Sequence, residues 1–220
     1  MNIELARYNM IEQQIRPWDV LDPHVLSLLS AVRREDFVPM AYRALAFVDT
    51  QVPLPGGQCM LEPKLEARLL QELQVQRHER VLEVGAGSGF MAALLGHRAQ
   101  QVTTLECDEE LARLAATNLR NAGLSNVKVR HVASTEAASG RAGDGAYDVI
   151  LLSGSVPTLP HALLEQLRPA GRLAAIVGAE PVMKARLYKR TGEAAWSQQD
   201  LFDTVAPRLA GFDAEPRFKF

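Results

Sequence analysis

The chain has 220 residues, a hydrophobic share of 47% and a formal net charge of −2. That length suits one α/β domain or a domain with an added lobe, and the apolar share supports a buried core and excludes a disordered chain. The charge carries no basic excess, so nucleic acid is not an expected partner, and no apolar run reaches a membrane-spanning length.

In chain order, Met1-Asn2-Ile3-Glu4-Leu5-Ala6-Arg7 lacks the apolar centre of a signal peptide. Residues 4–16 place Tyr8, Ile11 and Ile15 at helical spacing beside Glu12, Gln13 and Gln14. Asp22-Pro23 reads as an N-cap followed by proline at the first helical position. Val25, Leu26, Leu28, Leu29 and Val32 then form one broad apolar face. Residues 40–58 read as loop, punctuated by Pro53, Pro55, Gly56 and Gly57. Leu65, Leu69 and Leu73 step by four behind Pro63, another amphipathic helix. Cys59 and Cys107 cannot make a disulfide framework; read as free thiols, they point to a reducing cytoplasm.

The most informative stretch is Arg80-Val81-Leu82-Glu83-Val84-Gly85-Ala86-Gly87-Ser88-Gly89-Phe90. An apolar strand enters three alternate glycines, a helical stretch follows, and Gln101-Val102-Thr103-Thr104-Leu105 makes a second strand ending on Glu106. Strand, glycine turn, helix, strand and acid is the layout of a nucleoside-binding βαβ unit. Glycine lets the backbone approach a ligand closely. The next helix presents its N–H groups to an anion, and an acid at the second strand's tip suits a ribose diol while repelling a 2′-phosphate. A tight turn with no ligand would show the same glycines, and Asp108 is an equally good N-cap for the helix that follows.

Leu111, Leu114, Ala115 and Leu119 mark that helix, with Gly123 as its C-cap. Residues 126–130 alternate as a third strand. Residues 133–145 read as a short helix and a loop. Residues 147–152 are a near-continuous apolar strand, as expected where both faces are covered. A helix over 160–167, a fifth strand over 172–177 and a hairpin over 185–209 complete the chain. Arg172 is expected to be exposed at a strand start, and His131 to be structural. Ser153 and Ser155 are placed at the crevice mouth, either to meet substrate or to end the strand. The alternation predicts a doubly wound, mostly parallel α/β sheet of seven strands, with residues 1–78 as a helical lobe that covers the crevice and residues 79–220 as the ligand-binding unit.

From about residue 8 to residue 190 the chain resembles the protein-L-isoaspartate O-methyltransferase family. Met10-Ile11-Glu12-Gln13-Gln14-Ile15-Arg16 is similar to its opening helix, and Arg34-Glu35-Asp36-Phe37-Val38-Pro39 to its "R-x-x-F-V-P" element. Ala46-Phe47-Val48-Asp49 with residues 52–58 resembles its "A-Y-x-D…L-P-x-x-x-G-Q" loop. Glu83 to Phe90 resembles "E-x-G-x-G-S-G-Y/F", and residues 163–173 resemble "L-x-x-Q-L-K-P-G-G-R-L".

The resemblance implies a Rossmann-like methyltransferase fold and transfer of a methyl group from S-adenosylmethionine to an isoaspartyl carboxylate of a damaged protein, without a metal. It places Glu83, Gly85, Ala86, Gly87, Ser88, Gly89, Glu106, Cys107, Ala133 and Ser134 around the cofactor. Cys59 and Leu61 stand where the family has the Thr and Ser of "G-Q-T-I-S", so both hydroxyls are absent. Val132-Ala133-Ser134 replaces a Gly-Asp-Gly, so the carboxylate beside the adenine is absent; Thr135 and Glu136 are the nearby substitutes. Three readings stay open: an isoaspartyl carboxyl methyltransferase with a relaxed site, a methyltransferase of another substrate, and a protein that binds S-adenosylmethionine without transferring its methyl group.

Overall fold

The computed structural model describes residues 2–139 and 145–212. The chain opens on α1 (Ile3–Met10), capped by the Asn2 side chain on the Leu5 N–H. It runs into a π-helical turn over Ile11–Ile15. The wider turn rotates the buried stripe: Met10, Ile11 and Ile15 are buried, whereas Tyr8, expected on that stripe, is exposed. α2 (Pro23–Ala31) starts where expected, with the Asp22 carboxylate accepting from the His24 N–H and proline at the first position. Between α2 and α3 (Pro63–Leu73) the chain is irregular, with 3₁₀ turns over Arg34–Asp36, Met40–Leu45 and Pro55–Gly57. Within this stretch β1 (Val52–Pro53) and β2 (Cys59–Met60) pair as a minimal antiparallel ladder.

The central sheet begins with β3 (Arg80–Val84), followed by α4 (Phe90–Arg98), β4 (Gln101–Glu106), α5 (Glu109–Asn121) and β5 (Val127–His131). The chain then crosses back through α6 (Ser134–Ser139) to β6 (Tyr147–Val156), α7 (His161–Glu165) and β7 (Leu167–Ala179). The loop expected after α6 falls on 140–144, outside the described residues. β8 (Val182–Gly192) and β9 (Ala195–Thr204) form the expected antiparallel hairpin ending. Strand order is β5-β4-β3-β6-β7-β8-β9, and the first five of these strands run parallel.

This order has a consequence for function. The chain builds outward from β3 on one side, then returns and builds outward from β6 on the other. The crevice between the carboxyl ends of β3 and β6 is therefore the switch point of the sheet, where open α/β folds bind ligands.

α4 is buried from Phe90 through Gly96 on every side, because one face meets the sheet and the other meets the N-terminal elements. One apolar core joins Met10, Ile15, Leu29, Phe37 and Leu69 to Val81, Leu94 and Val149. The other face of the sheet buries Leu82, Ile150, Leu163 and Leu173. Arg172 corrects its expectation. It lies in β7, its side chain is largely buried, and it holds Glu79 at 2.7 Å while donating to the backbone carbonyls of Leu73 and Gln74. It fastens the end of α3 to the sheet, at the edge opposite the crevice. Among the described residues no helix is long and apolar enough to cross a membrane.

Candidate active site

Gly85 leaves β3 with φ +94°, and its N–H and that of Ala86 both donate to the Leu105 carbonyl. A side chain at this position would be strained, and its Cβ would lie 2.6 Å from Leu209. Gly89 serves packing instead. It caps α4 at φ +86°, with the Ala115 backbone 3.2 Å from where a Cβ would stand, so α5 packs directly on it.

Two carboxyls flank the turn. Glu83, fully buried at the end of β3, accepts from Thr104 Oγ1 at 2.6 Å and from Ser153 Oγ at 2.7 Å. Burial pushes its carboxyl up to about 8; the two hydroxyls oppose the rise, and Glu66 and Glu106 add to it. Glu106, at the tip of β4, accepts from three backbone N–H groups: Gly87 at 2.8 Å, Cys107 at 2.8 Å and Asp108 at 3.1 Å. A carboxylate has about four acceptor positions, so one stays available without disturbing the turn. Asp108 is the N-cap of α5, accepting from Leu111 at 3.0 Å.

Cys59, Leu61, Glu83, Gly85, Ala86, Gly87 and Ser88 line one hollow at the switch point. Cys59, Gly85, Gly87, Glu106 and Cys107 line a second hollow beside it. The structure thus brings together nine of the twelve expected site residues. Gly89 stands behind the turn. Ala133 is exposed, and Ser134 opens α6 against Gly211; neither lines the two hollows.

Other residues complete the walls. Ser153 lines both hollows, whereas Ser155 is fully buried and pairs its backbone with Pro207 and Leu209. The cause is a bulge: Leu151 pairs with Ala174 but Ser155 pairs with Ile176, so β6 spends two extra residues there. A bulge beside a site re-aims a side chain, here Ser153 toward Glu83. Leu209 and Ala210 cover the second hollow, and Glu66 of α3 lines the first. Neither position carried a sequence signal, because both approach from distant parts of the chain. Burial pushes the Glu66 carboxyl up to about 7, with Arg34 opposing the rise and Glu62 adding to it. The Cys59 and Cys107 thiols are both pushed up to about 11, chiefly by burial and further by nearby glutamates. Neither is a thiolate at neutral pH, so neither is placed as a nucleophile.

Residues 6–206 match the profile of the Protein-L-isoaspartate(D-aspartate) O-methyltransferase family. The chain belongs to this family. It is 38% identical over 199 residues to the protein-L-isoaspartate O-methyltransferase of Koribacter versatilis, covering 90% of this chain and 87% of that one. It is 37% identical over 203 residues to the enzyme of that description from Rhodopseudomonas palustris, covering 92% of each. The fold is also that of a Plasmodium falciparum protein provisionally assigned as a protein-L-isoaspartate O-methyltransferase and solved with S-adenosyl-L-homocysteine. That likeness has a TM-score of 0.74 at 20% identity and covers 95% of this chain and 98% of the other.

Proposed function

We propose that this chain transfers a methyl group from S-adenosylmethionine to the side-chain or α-carboxylate of an isoaspartyl residue in a protein or peptide. One observation carries the reading: in a chain of this family, the glycine turn at the switch point lies between two carboxyls, Glu83 beneath it and Glu106 beside it.

The residues fit the cofactor. S-adenosylmethionine carries a positive sulfonium and a positive ammonium, and among the described residues this crevice is lined by four acids, Glu66, Glu83, Glu106 and Asp108, and by no cation. Glu106 suits the ribose diol, while Gly85 and Gly87 leave the backbone bare for close approach. The chemistry supplied there by S-adenosylmethionine, when bound, is a methyl group on a positively charged sulfur.

The acceptor is a carboxylate, already ionised at neutral pH, so the chain needs no strong general base. Its work is to align the acceptor oxygen and keep water away. Met60, Leu61 and Leu209 are buried on its lining and give it an apolar part beside the acids. The lobe formed by residues 1–78 serves as its cover. A second reading, transfer to a different acceptor, is favoured by one feature: Cys59 and Leu61 offer no hydroxyl to a polar substrate group.

Calorimetric titration with S-adenosylhomocysteine tests the cofactor. The proposal expects saturable heat, and a flat titration up to millimolar ligand would remove it. Methylation of an isoaspartyl peptide, compared with its aspartyl isomer, then separates the first acceptor from the second.

A further inference from the structure

We propose that Arg34 and Glu66 form a positioning device for the methyl acceptor: a buried ion pair whose guanidinium fixes residues 59–61 against the glycine turn. This rests on the methyltransferase reading above.

Among the described residues Arg34 heads the largest fully buried side chains, at 1% exposure. It sits on the 3₁₀ turn over Arg34–Asp36 and reaches three separate parts of the molecule. Its Nη1 donates to Glu66 Oε2 on α3. Its Nη2 donates to the Leu61 carbonyl at 2.8 Å. Its guanidinium carbon stands 4.8 Å from the centre of the Phe90 ring, and Phe90 is the first residue of α4, directly after Gly89. One side chain thus joins the acceptor segment, α3 and the helix that follows the glycine turn. Glu66 and Leu61 line the same hollow as Glu83 and the turn itself.

Stability alone is a poor reason for such a pair. Exchanging a buried ion pair for well-packed apolar side chains is often neutral or stabilising. The third contact supplies a better reason. With Cys59 and Leu61 both lacking hydroxyls, this segment is held by the two-residue ladder to β1, the Cys59 thiol donating to Gln51 Oε1 at 3.5 Å, and the Arg34 bond to the Leu61 carbonyl. The bond fixes the last residue of the segment, where the ladder has ended. Only the planar, forked guanidinium can make the carboxylate bond, the carbonyl bond and the ring contact together; a lysine cannot.

The test uses the full chain and three variants. Arg34→Met with Glu66→Leu removes both charges at similar volume. Arg34→Lys keeps the charge and loses the fork. Arg172→Lys makes the same change, charge kept and fork lost, at a largely buried pair on the opposite edge of the sheet and serves as the control. Three quantities are measured: kcat and KM on an isoaspartyl peptide, affinity for S-adenosylhomocysteine, and hydrogen exchange of the amides of residues 59–62 and 86–92. The double variant is expected to melt close to the unaltered chain and to lose about 10–100-fold in kcat, with a smaller loss of affinity for S-adenosylhomocysteine and faster exchange in both segments. Arg34→Lys is expected to behave in the same direction, and Arg172→Lys to change neither kcat nor exchange there. Unchanged kcat and exchange in both Arg34 variants would overturn the proposal, as would losses no larger than those of the control. If the unaltered chain does not methylate the peptide, the acceptor reading falls. The exchange of residues 59–62 still decides whether Arg34 holds them.

Discussion

The Ser153 hydroxyl donates to Glu83 across 2.7 Å, joining the two halves of the sheet at the point where its winding reverses. Thr104 donates to the other oxygen of the same carboxyl, so β4, β3 and β6 are tied side by side at the floor of the crevice. Glu83 is therefore held in one orientation beneath the glycine turn. Ser153→Ala would leave a buried oxygen short of a donor and is expected to cost about 1–3 kcal/mol, read as a lower midpoint in urea.

The raised Glu83 carboxyl makes stability depend on pH. In the folded chain it titrates near 8, against 4.5 as its ordinary value. Between those values the folded state holds a proton that the unfolded state has released, so stability falls as pH rises. The contribution is complete below about 4.5 and is lost as pH passes through about 8. Glu66, raised to about 7, adds a smaller effect of the same sign. Melting temperatures measured from pH 5 to pH 9 should flatten in Glu83→Gln, and an unaltered slope in that variant would count against the buried proton.

Glu106→Ala is expected to weaken binding of S-adenosylmethionine by about 1.5–3 kcal/mol, the range for a hydrogen bond to a charged group. The variant also strips an acceptor from the N–H groups of Gly87, Cys107 and Asp108, so its melting temperature should fall as well. Affinity that stays constant while the protein melts earlier would make Glu106 a brace for the turn and nothing more.

Returning both hydroxyls with Cys59→Thr and Leu61→Ser should raise turnover on isoaspartyl peptides. Leu61 is 4% exposed, so the serine hydroxyl must find a partner, and the expected cost is a modest loss of stability. Equal or lower turnover would show that the acceptor does not use those positions.

Gly85→Ala combines a left-handed backbone with a Cβ placed 2.6 Å from Leu209. Strain of this kind costs on the order of 1–3 kcal/mol, or roughly 3–10 °C in a chain of this size. The same change should weaken S-adenosylhomocysteine binding, because Leu209 and the turn line one hollow. A variant that keeps its affinity would separate the turn from the ligand.

Local signals in the sequence carried much of this fold. Periodicity placed α2, α3 and α5, and the alternation of strands with helices pointed to the doubly wound sheet. The glycines and acids between Glu83 and Glu106 lie within one βαβ unit, so short-range spacing was enough to place them. What escaped depends on long-range geometry. The bulge that turns Ser153 into the crevice is a mismatch between β6 and β7, visible only once the strands pair. The π turn that exposes Tyr8 leaves no mark in a pattern with helical spacing. Arg172 reads as a polar strand start until Glu79 and the end of α3 close over it. Ala133 and Ser134 were placed by the resemblance, at the positions of its Gly-Asp-Gly, and they line neither of the two hollows.

Transfer of labelled methyl from S-adenosylmethionine to a synthetic isoaspartyl peptide, with the product assayed as a base-labile ester, tests the central claim most directly. The account predicts label on the isoaspartyl peptide, none on the matched aspartyl peptide, and release of that label as methanol on mild alkaline treatment. A chain that binds S-adenosylhomocysteine yet leaves the isoaspartyl peptide unlabelled would contradict it.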